Sequence, residues 1–123
     1  MKRTALLLLM AALAFAGELT GKWSGTFIET DGPGGAETNT TGVYMDLKVS
    51  GQTVTGTAGP DEARQFPISG GKLDGKKLTF EVSIGPAAAK FDLVFDGNTI
   101  KGTAASEIDG QHQYAKLDLK RKQ

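Results

Sequence analysis

The chain has no cysteine. No disulfide can staple it and no lipid anchor can sit on an N-terminal cysteine, so a small extracytoplasmic domain must rely on its core alone. It also has a single histidine and a single tryptophan. A metal site or a catalytic triad needs partners that converge on His112, and none is indicated, which makes His112 a solvated loop residue. No G-x-S-x-G, H-E-x-x-H, Walker or dinucleotide fingerprint occurs, and the carboxylates fall mostly on outward positions. Neither an enzyme nor a cofactor is expected. No apolar run reaches the roughly 20 residues that span a bilayer, and no helical pattern of useful length competes with the alternation described below.

What is present begins with a leader. Residues 1–16, M-K-R-T-A-L-L-L-L-M-A-A-L-A-F-A, have a basic start, a short apolar run and a small-x-small ending at Ala14-Phe15-Ala16. That is the pattern of a secretory signal peptide. Residues 17–123 are then the mature domain, expected to be secreted or periplasmic, with no membrane span. Loss of Lys2 and Arg3 leaves twelve basic against fourteen acidic residues, a net charge of −2. The basic residues are scattered singly except Lys120-Arg121-Lys122, a chain end with one structural arginine, and no nucleic-acid partner is expected.

Within the mature chain one stretch is written twice. Residues 46–58 read D-L-K-V-S-G-Q-T-V-T-G-T-A and residues 92–104 read D-L-V-F-D-G-N-T-I-K-G-T-A. Each copy is a β-hairpin: an alternating apolar strand, a tight turn at Gly51 or Gly97, then a Thr-rich strand. Asp74-Gly75-Lys76 makes a third turn of the same kind. Alternation and punctuation together predict eight strands, at 22–30, 42–50, 53–59, 64–73, 77–84, 89–96, 99–105 and 113–121. One face of each is apolar, as with Val43, Met45, Leu47 and Val49 against Tyr44, Asp46, Lys48 and Ser50. Strands with one buried and one wet face pair antiparallel around a single interior. The connections alternate between short Gly turns and longer segments, at 31–41, 60–63, 85–88 and 107–112, so one end is tight and the other carries long loops. The fold class is all-β, an eight-stranded antiparallel up-and-down meander; it closes into a barrel, which removes exposed edges, or splits into a two-sheet sandwich.

Gly21-Lys22-Trp23 on the first strand and Arg121 on the last favour the barrel. This arrangement resembles the calycin superfamily of lipocalins, avidins and fatty-acid-binding proteins, and in particular secreted bacterial lipocalin-like domains. There a G-x-W at the closed end packs against an Arg or Lys from the final strand. The resemblance implies that Trp23 and Arg121 form a structural plug, with the guanidinium over the indole, and assigns them no ligand role. The chain departs from the families it resembles in two respects. Avidins hold biotin with several tryptophans, and classical lipocalins and bacterial metalloprotease inhibitors usually carry a disulfide.

Inward positions divide into large residues and the small set Gly25, Gly56, Ala58, Gly102 and Ala104. Two readings follow. In the first, the small set leaves a pocket for one small, mostly apolar ligand at the long-loop end, lined by Phe27, Val43, Phe66, Ile84 and Phe91 with Glu29 at the rim. In the second, large packs over small in a filled core, Gly56 and Gly102 relieve strand bending, and the loops or outer face bind a protein or a polysaccharide, as an inhibitor-like or structural module. Cavity volume separates the two. Asp61, Glu62, Glu107 and Asp109 lie on open-end loops as loose cation ligands at most, without the spacing of a known calcium loop, and no metal is expected.

Overall fold

Period-two alternation through the whole mature chain gives every strand an apolar side to bury, and closure is the arrangement that buries all of them at once. The computed structural model describes residues 19–108 and 110–122. The expected signal peptide and Asp109 lie outside these residues. The strands are β1 (Gly21–Thr30), β2 (Glu37–Ser50), β3 (Thr53–Gly59), β4 (Phe66–Asp74), β5 (Lys77–Ile84), β6 (Ala87–Asp96), β7 (Thr99–Ile108) and β8 (Gln111–Arg121). Each pairs with the next, and β1 closes the barrel by pairing antiparallel with β8, Trp23 opposite Arg121. The fold is therefore the eight-stranded meander barrel.

The repeated hairpin occupies β2–β3 and β6–β7, four strands apart on a ring of eight and so on opposite walls. The two copies share one register: Leu47 faces Gly56 as Leu93 faces Gly102, and Met45 faces Ala58 as Phe91 faces Ala104. The shared glycine has a backbone cause. A Cβ on Gly56 would stand 1.9 Å from the Asp46 carbonyl oxygen, and one on Gly102 would stand 2.2 Å from that of Asp92, the equivalent residue of the other copy. These glycines let adjacent strands close on each other where the wall bends.

Several boundaries differ from the pattern-based expectation, and they change the mouth of the barrel. β2 begins at Glu37, five residues earlier than expected, because a Thr-rich run wet on both faces shows no alternation yet still pairs with β1. β5–β6 and β7–β8 pair as far as Ile84 with Ala87 and Ile108 with Gln111. The segments at 85–88 and 107–112, expected as long loops, are therefore two-residue connections on long hairpins, and only 31–36 and 60–65 are longer links. In contrast, β3 ends at Gly59 opposite Tyr44, seven residues short of the start of β2, whereas β4 starts at Phe66, level with the end of β5. The wall steps down from β2 to β3.

Tyr44 departs from its expected wet position and is only 7% exposed although it points outward. The link from Pro60 to Gln65 folds against this part of the wall. Gln65 Nε2 donates to the carbonyls of Tyr44 (3.1 Å) and Asp61 (2.8 Å). Glu62 pairs with Lys122, whose ammonium lies 5.2 Å from the Tyr44 ring centroid.

Candidate functional site

The closed end of the barrel is filled from the residues upward. Trp23, Met45, Leu47, Leu78, Leu93, Phe95, Ile100 and Leu119 are fully buried there. Phe95 meets Trp23 edge-on at 5.8 Å between ring centroids, and the Arg121 guanidinium lies 4.4 Å from the indole centroid. Two residues that strand patterning did not single out complete the plug. Leu19 is fully buried and its carbonyl accepts the Trp23 Nε1–H at 2.9 Å. Thr20 accepts from Arg121 Nη1 through its carbonyl at 3.1 Å, and its hydroxyl accepts the Val49 N–H. The Gly of G-x-W follows from this packing: Gly21 has φ of +141°, and a Cβ there would meet Arg121 Nη1 at 3.0 Å.

The open end is different. A cavity of about 450 Å³ occupies the upper half of the barrel, within the range of roughly 300–1,000 Å³ typical of small-molecule sites. Phe27, Val43, Ile84 and Phe91 line it, four of the six expected ligand residues. Ile84, 47% exposed, stands at its rim. Phe66 does not line it: this half-buried ring packs on the core opposite Ala58. Glu29 borders a separate crevice of about 30 Å³ next to the cavity, with Gln113, Tyr114 and Ser106. Gly25, Gly56 and Gly102 border neither space, because neighbouring backbone sits where their side chains would be. Of the expected small set, Ala58 borders the cavity and Ala104 the crevice.

The polar part of the lining went unread in the sequence. Thr41 on β2, and Ser106 and Gln113, a register pair of β7 and β8, line the cavity among apolar neighbours. Parity could have found them, since Thr41 follows Val43, Ser106 follows Ala104, and Gln113 follows Ala115 at intervals of two. The expected strands stopped at 42 and 105, where alternation fades, and so lost the first two. Among the described residues, no charged side chain lines the cavity.

The acidic loop residues are engaged elsewhere. Asp61 Oδ1 accepts the backbone N–H groups of Ala63 and Arg64, and Oδ2 accepts the Arg64 guanidinium at 3.0 Å. The backbone N–H of Arg64, and then its side chain, hold the Asp61 carboxyl below the ordinary carboxylate value. The Lys122 hydrogen bond likewise lowers Glu62, and Glu62 raises Lys122. His112 is exposed on β8 with its ring 6.4 Å from that of Tyr114. Among the described residues, no three His, Asp or Glu side chains group as metal ligands, and no helix is long and apolar enough to cross a membrane. No protein-family model matches the chain, and no curated protein matches it in sequence.

Proposed function

We propose that this barrel binds one small, uncharged, mostly apolar molecule in its open-end cavity, as a calycin-like binding protein outside the cytoplasm. The cavity itself carries the reading: about 450 Å³ of space lined by Phe27, Val43, Ile84 and Phe91 in a domain whose opposite end is fully packed. Burying a charged ligand group there would leave it without a counter-charge and at a large desolvation cost. Thr41, Ser106 and Gln113 offer two hydroxyls and an amide to orient one neutral polar group. Among the described residues the lining offers no carboxylate or imidazole, and binding without chemical conversion is the activity it supports. The closed-end contact of Trp23 with Arg121 supports the calycin-like reading, and the leader at 1–16 supports export.

The test uses an uncharged environment-sensitive dye, N-phenyl-1-naphthylamine. It is expected to bind with a stoichiometry near one, and a Phe91→Trp indole is expected to be quenched by it. Val43→Phe should abolish dye binding at a stability cost under about 1 kcal/mol, because the added ring enters existing space. In a filled core the same change would overpack at roughly 1 to 3 kcal/mol. Destabilisation by Val43→Phe, together with no dye binding by the wild type, would remove the pocket reading.

A further inference from the structure

We propose that the β7–β8 wall of the cavity selects a ligand whose polar end is an uncharged amide, with Ser106, Gln113 and Glu29 as the specificity residues. This rests on the small-molecule reading and names the chemistry of the one end that the apolar lining leaves unspecified. Ser106 and Gln113 stand directly opposite each other in the β7–β8 register, and both border the cavity and the crevice beside it. Side chains so paired have Cβ atoms about 4.5 to 5.5 Å apart, so one head group can reach the amide and the hydroxyl together.

Thr41, Ser106 and Gln113 are not equally available to a ligand. Thr41 Oγ1 is turned to the Phe27 carbonyl, 3.5 Å away. Among the described residues no side-chain hydrogen bond engages Ser106, Gln113 or the Glu29 carboxylate; Glu29 accepts only through its main-chain oxygen, from Thr38. Glu29 comes to this region from the next strand round the ring, on the inward parity of Trp23 and Phe27. It pairs with Ala115, which pairs with Ala104, and these two small side chains together with Ala89 leave the crevice of about 30 Å³ that Glu29 borders with Ser106 and Gln113. An acceptor-only anion therefore stands beside two neutral groups that can both donate and accept.

These groups define the head. A side-chain amide offers donors on nitrogen and an acceptor on oxygen, a hydroxyl offers one donor and two lone pairs, and a carboxylate only accepts. A primary amide carries an N–H and a C=O side by side on one edge, and that edge meets Gln113 in two parallel hydrogen bonds, Nε2–H to the ligand oxygen and the ligand N–H to Oε1. Its second N–H is left for Ser106 Oγ or the Glu29 carboxylate. A ketone or an ester has no donor and leaves Gln113 Oε1 unpaired, an ammonium has no acceptor and leaves the Nε2 donors unpaired, and polar groups shut off from water in that state weaken binding. A carboxylate head would bring a second negative charge beside Glu29, and among the described residues no Lys, Arg or His lines either space.

The test displaces N-phenyl-1-naphthylamine with four molecules that share one chain: decanamide, N,N-dimethyldecanamide, decanoate and decylamine. Decanamide should bind about tenfold or more tighter than its dimethyl derivative, the loss of one or two hydrogen bonds, and tighter than decanoate and decylamine. Adding it should also shift the Gln113 side-chain NH2 signals in the NMR spectrum. In Gln113→Leu the preference for decanamide over the dimethyl derivative should fall to within about twofold; it is read as a ratio inside the variant, so a change in dye affinity cancels. In Glu29→Gln decanoate should gain on decanamide by about threefold or more, because the like charge is gone. Equal affinity for the two amides, a preference that survives Gln113→Leu, an unchanged decanoate-to-decanamide ratio in Glu29→Gln, or decylamine binding tighter than decanamide would each overturn the proposal and leave the small-molecule reading intact. Binding of neither the dye nor decanamide by the wild type would remove both.

Discussion

Trp23→Ala should be the most damaging single truncation at the closed end, and its cost can be worked from its contacts. The side chain is fully buried, touches Phe95 edge-on, lies under Arg121 and donates to the Leu19 carbonyl. Removing a buried Trp costs about 3 to 5 kcal/mol through lost transfer and residual cavity. The upper half of that range is expected because the surrounding wall is a closed hydrogen-bonded ring that cannot collapse inward, and because the Leu19 carbonyl loses its donor. Against a total stability of roughly 5 to 15 kcal/mol, this is a large fraction. With a urea slope of about 2 kcal/mol/M, the midpoint should fall by about 2 M, read by far-ultraviolet circular dichroism because the mutant lacks its tryptophan. Arg121→Ala should cost about 1 kcal/mol, and the double mutant should recover about 0.5 to 1 kcal/mol of coupling. A Trp23→Ala cost under about 1.5 kcal/mol, or a coupling of zero, would refute the plug.

Gly102→Ala should destabilise by about 2 kcal/mol or more, since its Cβ would stand 2.2 Å from the Asp92 oxygen, whereas Val94→Thr on the exposed face should stay within about 0.5 kcal/mol; equal midpoints for the two in urea would contradict the close-approach argument. Glu62 should titrate below an ordinary glutamate by carbon-13 NMR because Lys122 lowers its pKa, and Lys122→Ala should move the midpoint back up. A depressed carboxyl stabilises the fold above its unfolded pKa and loses that contribution as pH falls through the folded one, so the β3–β4 link should loosen first in acid; the raised Lys122 gives the opposite limit, its contribution lost as pH rises through its own folded value. N-terminal sequencing of exported protein should begin at or within a residue or two of Gly17, and an intact Met1 on that protein would refute the leader.

How much of the site could be read in advance depends on where alternation survives. Phe27, Val43, Ile84 and Phe91 were legible because apolar residues at intervals of two mark one face. Thr41, Ser106 and Gln113 share that face, yet polar residues at a barrel mouth are flanked by polar residues on the outer face, and the signal vanishes. Phe66 has the right type, but its half-buried ring packs on the core opposite Ala58 instead of lining the cavity. Glu29 sits one step further up β1 than Phe27 and is directed to the crevice.

The repeat and the strand parity determined the number of strands, their order and the residues that face inward, because period-two burial and Gly turns are local properties of the chain. The closing of β1 on β8 was legible in Trp23 and Arg121, whereas the burial of Leu19 under Trp23 and the covering of Tyr44 by the β3–β4 link were decided only in three dimensions, since each joins residues that no local pattern relates. The same holds for the cavity. Whether large residues meet small ones or leave space depends on strand stagger around the ring, which no single strand records.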